Sequence, residues 1–356
     1  MKTYKHLYAQ VCDFENLYWA YRDARRGKRN AQAVAAYEFA EEENLMQLQE
    51  ELRSKTYQPG EYRHFYIHEP KRRKISAAPF RDRVAHHALC RIIEPIFERY
   101  FIHDSYACRV GKGTHRALDR CQEFVRRYRY VLQGDVVQFF PSIDHAILRG
   151  LLARHLKDAD TLWLIDRILA SGEGVHADHY AAQWFPGDDL FAANRPRGLP
   201  IGNLTSQFWA NVYLNELDQF VKRELKCGAY VRYVDDFVLF ADNKSQLHEW
   251  RKHISAFMET LRLRLHENAF RVFPVSEGIS FLGFRIFQTH RRLKRVQAIA
   301  FRRRMKGLLN DYAERQIELD RVTASVTGWV NHVRYGDTYG LRRALLAQLH
   351  IPARIE

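Results

Sequence analysis

Apolar residues recur at intervals of three and four along most of this chain. In residues 83–99, for example, the apolar positions are Val84, Ala88, Leu89, Ile92, Ile93, Ile96 and Phe97. That spacing puts apolar side chains on one face of an α-helix and predicts a helix packed against a core. The same pattern predicts helices over residues 14–53 (two helices, broken near Gly27), 114–129, 143–155, 160–169, 203–225, 245–263, 298–312 and 319–333.

Fewer segments have the composition of β-strands. Four segments are rich in Val, Ile, Phe and Tyr and are bounded by Gly, Pro or Asp, namely residues 130–137, 230–234, 237–241 and 279–287. Residues 171–200, with repeated Gly and Pro, predict one long irregular loop, which in a compact domain is usually functional or disordered. Many helices with a few strands predict an α+β fold.

The composition is that of a packed globular protein. The 356 residues are 46% hydrophobic and 13% aromatic, which excludes a disordered, collagen-like or repeat-rich chain and suits two or three packing units. The five cysteines include no C-x-x-C pair, so we expect neither a disulfide framework nor a structural zinc site. We expect no signal peptide and no membrane span, and therefore a cytoplasmic protein.

Positive charge is in excess and unevenly distributed. The formal net charge is +14, and a field of this sign attracts nucleic acid or other anionic surfaces. Two stretches carry much of it: Lys71, Arg72, Arg73, Lys74, Arg81 and Arg83, with only Asp82 among them, and Arg285, Arg291, Arg292, Lys294, Arg295, Arg302, Arg303, Arg304 and Lys306, with no acid. Either run alone is as consistent with a solvated face, but two runs flanking an acidic centre favour a track for phosphates.

Two adjacent acids, Asp235 and Asp236, lie between two apolar strands in the sequence Tyr-Val-Asp-Asp. Such a pair is often an ordinary turn, but like charges this close repel unless a cation lies between them, which makes the pair a candidate Mg²⁺ site. Asp135 ends another apolar strand. Because Mg²⁺ prefers a few carboxylates together with substrate phosphate oxygens, acids at the ends of separate strands predict the two-metal site of a polymerase.

The order of motifs resembles that of a reverse transcriptase. The similar segments are residues 71–83 (fingers motif), Asp135 with residues 139–142 (first palm motif), 198–207 (second palm motif), 233–236 (Y-x-D-D box) and 281–284 (primer grip). The resemblance implies a right-hand polymerase fold. It places N-terminal helices and fingers in residues 1–133, a palm in 134–290 with a fingers-like insertion at about 150–200, and a helical thumb in 291–356.

The second palm motif narrows the resemblance. It reads Ile201-Gly202-x-x-x-Ser206-Gln207, where retroviral, retron and group II intron enzymes tend to carry Gln-Gly-x-x-x-Ser-Pro. This form looks most like the enzymes of diversity-generating retroelements, but related sequences occur among unclassified bacterial reverse transcriptases linked to phage defence, and the motifs do not separate the two. A third alternative is a maturase-like RNA-binding protein with an inactive palm, against which the three retained acids argue.

The resemblance implies a role for each charged motif residue. Asp135, Asp235 and Asp236 would hold two Mg²⁺ ions, with Mn²⁺ as a substitute. One ion would activate the primer 3′-hydroxyl and the other would neutralise the pyrophosphate leaving group. The alternative is that these acids only cap strand ends. Lys71 and Arg73 would contact the triphosphate of the incoming dNTP.

Other residues are expected beside the incoming nucleotide. The ring of Phe140 would lie under the sugar and exclude a 2′-hydroxyl. The alternative is a core aromatic, and because neighbouring side chains of an extended segment point to opposite faces, we assign Phe139 to the core. Ile201 replaces an amide with an apolar contact near the nascent pair, so we expect relaxed base selection. Gly202 would allow close backbone approach to the substrate, and Gln207 would reach the template.

The primer and template are expected along the C-terminal basic stretch. The residues expected there are Leu282 and Gly283 at the primer end, and Arg291, Arg292, Lys294 and Arg295 along the duplex backbone. Arg83 would contact nucleotide or template phosphates, or else pair with Asp82. His86 and His87 lack metal-ligand spacing and are expected to be structural or solvent-facing. The implied partners are a non-coding RNA template, a primer and cDNA strand, dNTPs and, for a diversifying enzyme, a small helical-bundle accessory protein.

Overall fold

The structure, a computed structural model, describes residues 2–67, 72–178, 180–181 and 183–353. Its helices are α1 (Tyr8–Val11), α2 (Phe14–Ala24), α3 (Gln32–Phe39), α4 (Glu41–Arg53), α5 (Phe80–Glu98), α6 (Thr114–Arg127), α7 (Phe139–Ser142), α8 (His145–His155), α9 (Ala159–Ser171), α10 (Leu190–Ala193), α11 (Leu204–Gln219), α12 (Lys244–Thr260), α13 (Arg295–Ala313), α14 (Leu319–Val333) and α15 (Tyr339–Leu346). A π-helical turn, Phe220–Glu224, continues α11. Within these described ranges, no helix is long and apolar enough to cross a membrane.

The strands form three sheets in which every pairing is antiparallel. They are β1 (Arg63–Ile67), β2 (Arg73–Ala77), β3 (Tyr130–Gly134), β4 (Tyr230–Tyr233), β5 (Asp236–Ala241), β6 (Arg271–Pro274), β7 (Ile279–Phe281), β8 (Phe284–Ile286) and β9 (Arg291–Leu293). A central sheet has the order β4-β5-β3-β6, a second sheet has the order β7-β8-β9, and β1 and β2 form a two-stranded ribbon. Helices with antiparallel sheets confirm the predicted α+β class.

The central sheet is buried on both faces. Helix α12 packs against β3, β5 and β6, whereas α6 packs against β4 and β5. Successive strand residues alternate between the two sides: Val131 and Val238 belong to the core beneath α6, and Leu132 and Leu239 belong to the larger core. Burial on both faces explains why β5 reads as an almost continuous apolar run.

The N-terminal helices surround α5. This helix is 19 residues long and packs against α1, α2, α3 and α4 and also against α11. Its apolar face is buried along its length, as the helical spacing of its apolar residues predicts. Helix α5 therefore connects the N-terminal helices to α11, and α11 leads through the π-helical turn towards β4.

The C-terminal helices have a small core of their own. The rings of Phe301 and Trp329 stack with centroids 3.8 Å apart, and Val333 is buried beside them. This unit contacts the β7-β8-β9 sheet closely, since a Cβ on Gly336 would lie 2.8 Å from the ring of Phe284. The Asp337 N–H also donates to the carbonyl of residue 291 in β9 (2.8 Å).

Three predictions of secondary structure were wrong. Residues 279–287 form the β7–β8 hairpin rather than one strand, because Leu282 and Gly283 take φ values of 47° and 87° and reverse the chain. Residues 14–53 form three helices rather than two, since the chain leaves the helix at residue 25 and again at residue 40. Residues 139–142 form the short helix α7 rather than an extended segment.

Strands β1, β2, β6 and β9 were not predicted. Every residue of β1 is exposed, so the strand has no alternation of apolar and polar positions for a sequence pattern to detect. Strand β6 has only four residues and lies at the edge of the central sheet, next to β3. Short edge strands carry too few positions to define a period.

Candidate active site

The register of the central sheet brings the three predicted acids to one end of it. Gly134 pairs with Phe237 across β3 and β5, so Asp135 lies beside Asp236, the first residue of β5. Asp235 occupies the turn between β4 and β5, where Tyr233 pairs with Asp236. The acids of two separate sequence motifs therefore meet at a single sheet end, as the sequence predicts for a metal site.

The backbone on the Asp135 side is held by close packing. A Cβ on Gly134 would lie 2.4 Å from the ring of Phe237, so only glycine leaves room for this ring to pack against β3. The Asp135 carbonyl accepts a hydrogen bond from the N–H of His266 (3.0 Å). Asp135 is therefore fixed by β5 on one side and by the segment before β6 on the other.

The turn that carries Asp235 has a strained backbone. Val234 has a φ of 55°, which is unusual for a β-branched residue. Its carbonyl accepts a hydrogen bond from Nη1 of Arg232 (3.0 Å). Such a conformation persists only where neighbouring groups hold it in place. The hydrogen bond from Arg232 does this for Val234, so Arg232 positions the adjacent Asp235.

Arg232 belongs to a fully buried ion-pair network. Its side chain is 0% exposed and makes two hydrogen bonds to the Asp218 carboxylate, at 2.7 Å from Nε and 2.6 Å from Nη2. Asp218 also accepts from the hydroxyl of Tyr230 (2.8 Å), and Asn211 Oδ1 accepts from Arg232 (3.2 Å). We call Asp218, Tyr230, Arg232 and Asn211 the α11–β4 network. The buried charges of Arg232 and Asp218 are paired and hydrogen-bonded with each other, as burial of charged groups requires.

The acids repel one another in the absence of a cation. Burial, and secondly the negative charge of Asp135, raise the pKa of Asp235 to about 6, while Arg73 and Arg232 oppose the rise. Burial and Asp135 likewise raise the pKa of Asp236 well above its usual range. A 3.5 Å hydrogen bond from Gln133 and the charge of Lys294 oppose that rise.

The donor set suits Mg²⁺ but is not a preformed cage. Across the described ranges, no group of three His, Cys, Asp or Glu side chains is close enough to hold a metal ion unaided. Mg²⁺ takes hard oxygen ligands and is commonly bound by one or two carboxylates together with substrate phosphates and water. Asp135, Asp235 and Asp236 provide such carboxylates, and the raised pKa values show a cluster that a cation would stabilise.

Of the predicted nucleotide-binding residues, Arg73 lies near Asp235, and Ile201 and Gly202 contact the β1–β2 ribbon that carries Arg73. Arg73 in β2 is close enough to lower the pKa of Asp235, whereas Lys71 lies outside the described residues. The Ser76 N–H in β2 donates to the Ile201 carbonyl (2.9 Å), which joins the ribbon to the second palm motif. Gly202 has a φ of 123°, and a Cβ there would lie 3.0 Å from Ile75, so the position requires glycine.

The two phenylalanines after Asp135 differ in exposure. Phe139 is 2% exposed, and Phe140 is only partly buried although their ring centroids are 5.5 Å apart. Opposite faces of an extended segment do not explain this difference, because both residues belong to α7. The role of Phe140 at the sugar stays a prediction.

The predicted primer-end residues lie close to Asp236. Leu282 and Gly283 form the tight turn of the β7–β8 hairpin, and the Gly283 carbonyl accepts from the N–H of Lys294 (3.0 Å). Gln133, which contacts Asp236, also donates to the carbonyl of Ser280 in β7 (2.7 Å). The hairpin turn and Lys294 are therefore brought to the acidic sheet end.

The other predicted duplex contacts differ among themselves. Arg292 and Arg295 are exposed. Arg291 is instead turned onto α6, where its guanidinium donates to Gln122 (2.6 Å) and Asp119 (2.7 Å). Its hydrogen bonds therefore join β9 to α6, which leaves Arg292, Lys294 and Arg295 as the exposed cations of this segment.

Arg83 and Gln207 line one cavity at the start of α11, and none of the three acids lines it. The alternative pairing of Arg83 with Asp82 was wrong. Arg83 Nε donates to the carbonyl of Ala78 (2.9 Å), while Asp82 is buried and accepts from the hydroxyl of Tyr57 (2.9 Å) and the N–H of Gly60 (2.8 Å).

The sequence analysis missed Arg232 and Asp218. The signal for Arg232 was present, because a charged residue in a short apolar strand next to the acidic turn has to be paired if it is buried. Its partner could not be identified, since Asp218 looks like any polar position on a helix. Only the packing of α11 beside β4 brings the two together.

Comparison with known proteins agrees with this geometry. Residues 67–286, more than half of the chain, match the family model described as reverse transcriptase (RNA-dependent DNA polymerase). The protein YkfC of Escherichia coli K12 is 28% identical over 298 residues, which cover 72% of this chain and 74% of YkfC.

Two further relatives are named for introns. The group II intron-encoded protein LtrA of Lactococcus lactis is 30% identical over 183 residues, which cover 51% of this chain and 28% of LtrA. Nuclear intron maturase 1, mitochondrial, of Arabidopsis thaliana is 31% identical over 90 residues, or 25% of this chain and 13% of that protein. With the family model spanning both acidic motifs, the chain belongs to the reverse transcriptase family of RNA-directed DNA polymerases, whose right-hand α+β fold it shares.

Proposed function

We propose that this protein makes cDNA on a dedicated non-coding RNA, with Asp135, Asp235 and Asp236 as the catalytic carboxylates. The observation that carries this proposal is the convergence of the three acids at one end of the central sheet, beside Arg73 and Lys294. Two bound Mg²⁺ ions, or Mn²⁺ in their place, would supply the Lewis acidity for attack by the primer hydroxyl and for departure of pyrophosphate.

The protein residues supply position and charge. Asp135, Asp235 and Asp236 would hold the metal ions, and the α11–β4 network keeps the Asp235 turn in place. Arg73, with Lys71, would bind the triphosphate, because a guanidinium matches phosphate oxygens in pairs. Phe140 would select the deoxyribose, and the turn at Leu282 and Gly283 would seat the primer end. Holding reactants in this geometry is the main protein contribution to phosphoryl transfer.

A primer-extension assay tests the catalytic assignment. On an RNA template with a DNA primer, dNTPs and Mg²⁺, we expect Asp235→Asn to lower the extension rate by about 10³-fold or more, because it removes a charge that binds metal. The matched control is Glu224→Gln, an exposed acid in the π-helical turn, which should extend at the wild-type rate. Equal rates for Asp235→Asn and the wild type would overturn the assignment.

We propose diversification with relaxed fidelity as the biological role. The support is Ile201, where the amide side chain typical of the family is absent. The structure adds that the backbone of Ile201 is tied to β2, so its side chain is presented by a fixed backbone. Copying a defined template with the wild type and Ile201→Gln tests this, since restored base selection is expected in the variant. An unchanged misincorporation spectrum would contradict it.

An intron-related role is the second candidate. It is favoured by the names of LtrA and the nuclear intron maturase, which concern group II introns and intron maturation. Sequencing the nucleic acid that copurifies with the protein separates the candidates. Defined cDNA with scattered substitutions supports diversification, spliced or intron-derived RNA supports the second candidate, and homopolymer or repetitive DNA supports a defence role. The small accessory protein stays a prediction for the diversifying case.

A further inference from the structure

The second palm motif begins with two buried residues, Gly198 and Leu199, in the connection between α10 and α11. Their backbone N–H groups donate to the segment that follows Asp135. The N–H of Gly198 donates to the carbonyl of Ile143 (2.8 Å), and that of Leu199 donates to the carbonyl of Phe140 (2.9 Å). Buried backbone groups have to be paired, so the two carbonyls of residues 198–199 need donors as well.

Two buried histidines supply those donors. Nε2 of His145, the first residue of α8, lies 2.7 Å from the carbonyl oxygen of Gly198. Nε2 of His176, in the connection after α9, lies 2.8 Å from the carbonyl oxygen of Leu199. Because a carbonyl oxygen only accepts, each Nε2 carries the proton. All four backbone groups of residues 198–199 are therefore hydrogen-bonded, two of them by imidazole rings.

Both histidines are also packed closely against this part of the chain. Gly198 has a φ of 92°, and a Cβ there would lie 3.2 Å from Cδ2 of His176 and 3.4 Å from the carbonyl oxygen of Pro141. Glycine therefore permits this backbone conformation and leaves room for the His176 ring. His145 is tied to the same connection, since its own N–H donates to the carbonyl of Pro196 (3.1 Å).

Residues 198–199 connect the two side chains that are expected beside the incoming nucleotide. Leu199 is hydrogen-bonded to the backbone of Phe140, and Ile201 follows two residues later. Pro200 lies between them with a fixed φ, and a Cβ on Gly172 would lie 2.9 Å from the Pro200 ring, so this link is stiff and tightly packed. A shift of residues 198–199 therefore changes the position of Ile201 relative to Phe140.

We propose that His145 and His176 are positioning residues for the selection of deoxyribose over ribose. By holding residues 198–199, they set the position of the Phe140 backbone and its separation from Ile201. This inference rests on the proposed function, because it needs the sugar of an incoming nucleotide beside Phe140. The two hydrogen bonds go to the backbone of the motif rather than to the acids, so their loss changes selection more than the chemical step.

Amide substitutions test whether the hydrogen bonds themselves matter. Glutamine places an amide N–H close to the position of the ring Nε2, so His145→Gln and His176→Gln keep a donor, whereas asparagine is one methylene shorter and loses it. Addition of one nucleotide to a DNA primer on an RNA template is measured with dATP and with ATP. The matched control is His155→Asn, at the last residue of α8, whose ring makes only a 3.4 Å hydrogen bond to the carbonyl of Lys2.

We expect His145→Asn and His176→Asn to lower the ratio of kcat/KM for dATP to that for ATP by about 10-fold, because the Phe140 backbone loses support. For dATP alone, KM should rise by about 3-fold while kcat stays within about 2-fold of the wild type, since the acids are not moved. The two Gln variants and His155→Asn should keep the wild-type ratio within about 2-fold. A role in stability alone would not separate Gln from Asn in this ratio.

Equal ratios for the Gln and Asn variants would overturn the proposal, and so would a wild type that adds ATP as readily as dATP. If an Asn variant does not fold, as judged by circular dichroism, leucine at the same position takes its place, because it fills the space of the ring without a donor. If no donor-free variant of either histidine folds, the pair serves the fold alone and the proposal is wrong. A wild type that adds no nucleotide at all contradicts the proposed polymerase function, which is a different result from an unchanged ratio.

Discussion

Buried polar groups near the two ends of α11 differ in how complete their hydrogen bonds are. At the C-terminal end, the α11–β4 network pairs Asp218 with Arg232 and Tyr230 within the protein. Near the N-terminal end, both ring nitrogens of the buried His86, on the neighbouring helix α5, lack hydrogen-bond partners. A cluster completed within the protein fixes a backbone, here the Asp235 turn, whereas an unpaired buried ring carries the cost of its unmade hydrogen bonds. One helix thus borders both a complete network that holds the Asp235 turn and a buried histidine that has no partner.

The largest expected effect comes from breaking the complete cluster. Asp218→Asn leaves Arg232, which is 0% exposed, as a buried charge without a counter-ion. We expect the free energy of unfolding to fall by about 3–5 kcal/mol, as measured by urea denaturation. Extension activity should fall with it under conditions where the variant is still folded, since the carbonyl that Arg232 holds belongs to the strained turn.

The matched control for this change is Asp166→Asn, which breaks the exposed pair of Asp166 with Arg149. That loss should cost less than about 1 kcal/mol, because solvent screens an exposed ion pair. The double variant Arg232→Met with Asp218→Leu should recover part of the stability, since it removes both charges together but leaves Tyr230 and Asn211 without their partners. Similar losses for Asp218→Asn and Asp166→Asn would show that the network is not important for stability.

These two clusters also mark the limit of what the sequence could predict. The meeting of the three acids was predictable because each lies beside an end of an apolar strand, and the helix over Leu319–Val333 was predicted with the bounds that it has. Asp218 and Arg232 could not be paired from sequence, because their meeting depends on how α11 packs beside β4. His86 was expected to be structural or solvent-facing, since nothing local shows that it is buried on α5 without a hydrogen-bond partner.

The next largest expected effect is the pH dependence of stability that the buried His86 contributes. The pKa of His86 in the folded protein is lowered by burial to about 3, from an ordinary value of 6.5. Below pH 6.5 the unfolded chain therefore binds a proton that the folded chain does not, so stability falls as the pH falls towards 3. At pH 5 this contribution is about 2 kcal/mol. We expect His86→Leu to lack it.

Urea denaturation of the wild type and His86→Leu at pH 8 and pH 5 measures this difference. The gap between the two should shift by about 2 kcal/mol in favour of the variant at pH 5. His248→Gln, at an exposed histidine on α12, is the matched control and should show no shift. A gap that stays constant between the two pH values would mean that the His86 ring is hydrated or paired in the folded protein.

The smallest expected effect on stability comes from a second contact of the acidic turn, on its α6 side. On the side away from Arg232, the turn is tied to α6 by a hydrogen bond between the hydroxyls of Tyr233 and Thr114 (3.1 Å). This bond joins neutral, partly buried groups, so Tyr233→Phe should cost only about 1 kcal/mol in urea denaturation. Tyr128→Phe, whose ring packs beside Phe240, is the control and should change stability by less than about 0.5 kcal/mol.

A double-mutant cycle of Tyr233→Phe with Thr114→Val isolates the free energy of the hydrogen bond. A coupling as large as the Asp218→Asn effect would mean that the turn depends on α6 as much as on Arg232, so completeness of the charged network would not explain its position.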